Sequence, residues 1–425
     1  MTRPTSSQVP VQLAQKTRDP DAVSSKVDDY YRYRVGELWA AKHPLKGRTP
    51  RPGAIRLRTN DYLGIAQHPH IIESEVAALR AGGHGESVSR VWLHHVDDPI
   101  SRFEERVASL CGAESALLCP SGYAANVGLI QSLSGPGKHV FIDQKAHISL
   151  WEGIKSAGAN PVPFRHNDVE HLKRQLQAFG SGLIAVDALY STDGNIAPLV
   201  QFADLAERYG CALIVDETHS FGTQGAAGAG LVQDMGLTER VHFRTMGLSK
   251  AVASRGGAIV CSTRNSEFLR YESLPSIFST SVLPHEVAGY NAALDVFRDE
   301  TWRQTKLASN HAYLRAGLDA IGYNVNASKA QIIALEAGDI RQTVLLRDAL
   351  ESRGVFGAIF FPPATPEKRC LIRLTVNCIV SREELDRVLS VCQEIKDEVG
   401  MADWRSTRRK RRENGYLNRN QRVAA

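Results

Sequence analysis

The chain has 425 residues, 43% hydrophobic and 23% charged, proportions ordinary for a soluble α/β protein large enough for two domains that share one site. No apolar run is long enough to span a bilayer, the polar opening MTRPTSSQVPVQLAQKTRDP has no apolar signal core, and seven scattered cysteines without paired or metal-ligand spacing point to reduced thiols in the cytoplasm and to no metal. The net charge of +5 lies in the tail, where residues 401–425 hold eight Lys and Arg against Asp403 and Glu413; the remainder is near neutral, which makes nucleic acid a minority partner.

In chain order, residues 1–25 read as disordered. Residues 27–42 are helix-compatible, with Tyr30, Tyr31, Val35, Leu38 and Trp39 at helical spacing. A Pro- and Gly-rich loop, a short strand and the turn TNDYLGIAQHP (59–69) precede a helix, and a second helix is expected over Phe103–Leu110. A strand near Leu117 then leads into Ser121-Gly122-Tyr123, which opens an Ala-rich helix. That junction is either an ordinary capped helix or an anion site, because unpaired N–H groups and the positive helix end gather there and Gly122 permits close backbone approach. His147 follows the strand Val140–Asp143, and residues 182–199 read as a strand ending in a turn with Asp187, Ser191, Asp193 and Gly194. Alternating strands and helices predict a largely parallel sheet.

The apolar run Ala212–Val215 reads as a buried strand that delivers Asp216, Glu217 and His219 to its end. A second run, Val241–Leu248, leads to Ser249-Lys250, and Arg255-Gly256-Gly257 turns into another strand. Taken singly, a lysine after an apolar run snorkels to water and an aspartate after a strand caps or turns. The glycines of 222–230 are separated from their strand by Asp216 to His219, so they are not a dinucleotide fingerprint. A helix over 291–321 leads to a last region with an alternating strand that carries Arg373.

Together the ordered segments VDETHS, SK and RGG, with N-x-Y-L-G at 60–64, S-G-Y-x-A-N at 121–126, D-x-x-x-H-x-S at 143–149, F-S-T at 278–280 and I-R-L at 372–374, resemble the α-oxoamine synthases, a group of fold-type I pyridoxal phosphate (PLP) enzymes. The stretches HISLWEG, DALYSTDGNIAPL and GVFGAIFFPPAT are most similar to the bacterial quorum-sensing autoinducer synthases of the CqsA/LqsA type within that group. The chain departs from the group where Ile100 stands in place of a histidine and Gly247 in place of a Thr or Ser three residues before the lysine.

The resemblance implies an α/β fold-type I transferase, with a mostly parallel seven-stranded sheet in the large domain and a smaller α+β domain. The expected divisions are 1–25 (disordered), 26–60 (small domain), 61–290 (PLP-binding), 291–403 (small domain) and 404–425 (disordered basic tail). It also implies that Lys250 forms a Schiff base with PLP and then acts as general base, Asp216 holds the pyridine nitrogen protonated, His219 bonds the ring O3′ and His147 stacks on the ring. Ser121, Gly122 and Tyr123 would hold the phosphate, with Ser191, Thr245 or Ser249, and Thr280 of a neighbouring subunit as further cofactor contacts. Arg373 would bind the amino-acid carboxylate, with Asn60, Tyr62 and Arg90 also on substrate. The implied reaction joins a fatty acyl-CoA to a small amino acid or S-adenosylmethionine, with loss of CO2, in a homodimer with shared sites. Synthesis of 8-amino-7-oxononanoate, 5-aminolevulinate or a sphingoid base is the alternative, followed by an aminotransferase or a nucleic-acid-binding regulator on the same fold.

Overall fold

The computed structural model describes residues 20–39, 43–93 and 98–410. Its large sheet contains β2 (Ser115–Cys119), β3 (His139–Asp143), β4 (Asn160–Phe164), β5 (Leu183–Asp187), β6 (Ala212–Asp216), β7 (Phe243–Gly247) and β8 (Gly257–Cys261), in the order β2-β8-β7-β6-β5-β3-β4. β8 runs antiparallel to both of its neighbours, β2 and β7, and the remaining pairings are parallel. The continuous apolar runs in the sequence follow from burial on both faces, which a parallel sheet between helix layers imposes. Leu213, Ile214 and Val215 of β6 are all fully buried, the first and third in a different core cluster from the second. In register, Asp187, Asp216 and Thr245 lie side by side where β5, β6 and β7 end, so the parallel strands bring their polar ends to one edge.

A four-stranded second sheet joins β1 (Ile55–Leu57) to β9 (Ile332–Gly338), β10 (Val355–Phe360) and β11 (Cys370–Thr375) in the order β1-β10-β11-β9. The N-terminal segment thus pairs with the C-terminal one, and Arg373 rises from the central strand β11. All seven cysteines are free and buried. No helix among the described residues is long and apolar enough to cross a membrane.

Three local expectations are corrected. The helix expected over 291–321 is two helices, Pro284–Asp299 and Trp302–Ile321, interrupted where the Glu300 carboxylate accepts hydrogen bonds from Arg303 (2.8 Å) and His68 (2.9 Å). Residues 21–29 form a helix that continues as a wider π-turn to Leu38, so order begins before residue 26; residues 1–19 lie outside the described residues. The tail is ordered beyond 404: Trp404 is 2% exposed and edges onto Tyr323, and residues 405–410 are helical. Lys410 there donates to the carbonyls of Asp319 and Tyr323 at 2.8 and 2.9 Å, while Arg408 and Arg409 pair with Asp403 and Glu336. Those basic side chains are therefore committed to intramolecular partners. Residues 411–425 lie outside the described residues.

Candidate active site

The edge where β5, β6 and β7 end forms one wall of a cavity of about 260 Å³ lined by Ser121, Gly122, Tyr123, His147, Asp216, His219, Ser249 and Lys250, among others. Each of these eight residues was expected at a cofactor, and the fold brings all of them to the same space. Lys250 follows β7, and its amine lies 3.4 Å from the Ser249 hydroxyl. Burial and the positive charge of Arg373 lower its pKa, against an opposing pull from Asp216. A lysine held this way supplies a neutral amine at lower pH than an exposed one, as a nucleophile or general base requires.

Asp216 is 4% exposed and accepts from Asn126 Nδ2 at 2.7 Å and from the Thr218 N–H at 2.8 Å. Asn126 is itself fixed: its amide also donates to Ser149 at 2.8 Å, and its carbonyl accepts the Thr245 hydroxyl at 2.6 Å. The network continues through Ser149 to His147 Nδ1 at 2.7 Å, which orients that exposed ring at the cavity mouth. Asp187, on the next strand, accepts the His147 N–H at 3.0 Å. Burial, reinforced by the charge of Asp216, pushes the Asp187 carboxyl well above the usual range. His219 is 5% exposed, and burial, then Lys250, Arg373 and His147, depress its pKa well below that of a free histidine, so the ring is neutral.

In the same cavity, Ser121 caps the helix Gly122–Leu133 by accepting the Ala124 N–H at 3.0 Å. The strands approach this helix end too closely for side chains. A Cβ on Gly122 would stand 2.7 Å from Gly247 Cα, and one on Gly257 would stand 2.4 Å from Gly122 N. Backbone, hydroxyls and a positive helix end here make a cradle suited to a phosphate, while Asp216 and Lys250 suit a pyridinium and an aldehyde. These residues fit PLP.

Seven expected positions lie outside that lining: Thr245, Arg90, Tyr62, Thr280, Arg373, Ser191 and Asn60. Thr245 is fully buried with its hydroxyl given to Asn126, so it stands behind Asp216 and does not replace the side chain missing at Gly247. Thr218 fills that space: its Oγ1 accepts the Gly247 N–H at 2.8 Å, and a Cβ on Gly247 would lie 3.2 Å from Thr218 Cγ2. Arg90 is not free for substrate, because it is 6% exposed and bonded to Leu93 O, to Asp98 at 3.1 Å and to Ser101 at 3.0 Å. Tyr62 is fully buried with its hydroxyl 2.5 Å from His219 Nδ1, outside the cavity lining. Thr280 is exposed and also outside the lining. Arg373 bridges two expected neighbours, donating to Ser191 O at 2.8 Å and to Asn60 Oδ1 at 3.0 Å, and its Nε has no partner.

The sequence reading gave no role to Asn126, Asp187 or Thr218. Asn126 was within reach of it: the residue ends the S-G-Y-x-A-N segment, and a polar side chain inside an Ala-rich helix needs a buried partner. Asp187 carried the signal of an acid at the end of an apolar run, as Asp216 did. Thr218 carried none.

Residues 52–391 match the family described as aminotransferase class I and II. The chain is 40% identical over 375 residues to the CAI-1 autoinducer synthase of Vibrio campbellii, covering 88% of this chain and 95% of that protein. It is 33% identical over 347 residues to the 8-amino-7-oxononanoate synthase of Mycolicibacterium gilvum, covering 81% and 90%. Among solved structures it resembles serine palmitoyltransferase from S. paucimobilis with a bound PLP–myriocin aldimine, with a TM-score of 0.82 at 28% identity over 89% of this chain and 99% of that one. The chain therefore belongs to the aminotransferase class I and II family and, within it, to the α-oxoamine synthases.

Proposed function

We propose that this chain is a PLP-dependent acyltransferase that condenses a fatty acyl-CoA with a small amino acid or S-adenosylmethionine, releasing CO2 and CoA, to form an α-aminoketone precursor of a quorum-sensing signal. The observation that carries the reading is the convergence of Lys250, Asp216 and His219 on one cavity with a phosphate cradle of closely packed glycine backbone and hydroxyls. Bound there, PLP would supply an electron sink for bond breaking at the donor's Cα. Lys250 would take the Cα proton, Asp216 would hold a proton on the pyridine nitrogen, and His147 would cover the cavity mouth. Arg373, paired only with neutral oxygens and free at Nε, retains its charge for the donor carboxylate. The working unit is a cytoplasmic homodimer. Exposure of Phe278 (81%) and Thr280 on a segment outside the chain's own cavity supports a second subunit there.

The likeness to 8-amino-7-oxononanoate synthase keeps a shorter, carboxylated acyl thioester as the second reading. The deciding experiment measures free CoA released by the PLP-loaded protein across acyl-CoA lengths and amino donors, with products identified by mass. Release with medium or long chains and 2-aminobutyrate or S-adenosylmethionine is the expected outcome. A sharp preference for pimeloyl-CoA with alanine would transfer the chain to the second reading, and turnover without any acyl-CoA would overturn both.

A further inference from the structure

His219 touches the cavity, but the group that sets its proton lies behind it. Tyr62 is completely buried, and its hydroxyl stands 2.5 Å from His219 Nδ1, so one proton lies between the two atoms. Either the phenol donates to a bare Nδ1, or Nδ1–H donates and the phenol proton needs another acceptor. The Gln331 side chain does not provide one. Its Nε2 donates to the His219 carbonyl at 2.7 Å, and its Oε1 makes no hydrogen bond. Burial raises the Tyr62 pKa, partly offset by the charge of Arg373. A buried, neutral phenol has its own proton to give, and among the described residues His219 Nδ1 is the acceptor within hydrogen-bond distance.

We propose that Tyr62 is a positioning residue that locks His219 as the Nε2–H tautomer, so that the ring meets the cavity as a hydrogen-bond donor. Burial and the neighbouring charges of Lys250 and Arg373 keep the ring uncharged, so a tautomer, not a second proton, decides what it offers. In the other tautomer Nε2 would present a lone pair, which repels an anionic oxygen such as the one PLP carries on its ring. The Gln331 bond to the His219 carbonyl fixes the backbone from the same side, and the ring and its main chain are therefore held by two separate contacts. The identity of the oxygen that receives Nε2–H rests on the PLP reading; the tautomer does not.

The test is long-range 1H–15N correlation NMR on histidine-labelled, PLP-loaded protein, with the His219 signal identified by its loss in His219→Asn. Wild type should show a single Nε2–H tautomer. Tyr62→Phe should give mixed tautomers, an altered absorption spectrum of bound PLP and a roughly 10-fold weaker PLP affinity, the loss of about one hydrogen bond. An Nδ1–H wild-type ring would overturn the proposal. So would a Tyr62→Phe protein with the same pure tautomer and an unchanged spectrum. If that variant does not fold, the wild-type tautomer alone decides. Failure of the wild type to bind PLP would overturn the functional reading, while the same NMR measurement on cofactor-free protein would still test the tautomer.

Discussion

Asp216 and Glu217 are consecutive acids at the end of β6, and the fold uses them in opposite ways. Glu217 is completely buried in an ion pair with Arg244, and it also accepts from the Val232 N–H and the Ser220 hydroxyl, each at 3.0 Å. The Arg244 guanidinium is committed too, to the carbonyls of Cys111 and Ala229. Asp216 faces the cavity and is held by Asn126 and a backbone N–H, with no cation bonded to it among the described residues. A carboxylate whose partners are all internal ties the structure together. One fixed by neutral donors beside a cavity is poised for a ligand's charge.

The contrast can be broken or sharpened by substitution. The largest effect falls on the cavity side: Lys250→Ala should reduce CoA release by about 10³-fold or more while the melting curve of the cofactor-free protein is preserved. Residual activity near wild type would remove the lysine from the mechanism. On the core side, Glu217→Ala should cost about 3–5 kcal/mol of stability, because it leaves Arg244 buried and unpaired. Denaturant unfolding measures this, and a loss below about 1 kcal/mol would show that the pair is not structural.

Asp216→Ala should bind PLP and stay folded but turn over about 10²-fold more slowly, which equilibrium dialysis combined with CoA release would separate. Equal losses of stability at 216 and 217 would erase the distinction drawn between them. The smallest effect belongs to His311, a buried ring on the helix Trp302–Ile321 outside the cavity lining. Burial and Arg315 lower the His311 pKa from 6.5 to about 4, so between those values the unfolded chain binds the proton and the folded one does not. The ring's contribution to stability is therefore fully present above pH 6.5 and is lost as pH falls toward 4. His311→Gln should flatten that slope in urea titrations, since the ring's share is at most about 3 kcal/mol across the window.

Much of this was legible along the chain. Runs such as Leu183–Asp187 and Ala212–Asp216 announced strands buried on both faces, and the residues that follow them had to emerge at one edge of a parallel sheet. Asp216, His219, Lys250 and Ser121-Gly122-Tyr123 were placed by that logic and by their resemblance to a known set. Ser249 was named only beside Thr245, and the chain alone did not choose between the two.

The misplacements share a cause. Thr245 and Thr218 look equally available in the sequence, but the register of β6 against β7 sets Thr245 beside Asp216 and its hydroxyl on Asn126, leaving Thr218 to fill the gap at Gly247. Arg90 has partners within 14 residues, yet only the tertiary structure turns Asp98 and Glu104 toward it. Tyr62 and His219 are 157 residues apart, and the helix at 405–410 is held by carbonyls 87 and 91 residues back. By itself the sequence determined the elements, the sheet type and the chemical inventory of the site, because periodicity, caps and turn residues act over a few residues. Tertiary structure decided which hydroxyl, acid or arginine is free and which is already satisfied, because hydrogen-bond partners and burial depend on strand register and on contacts between distant segments.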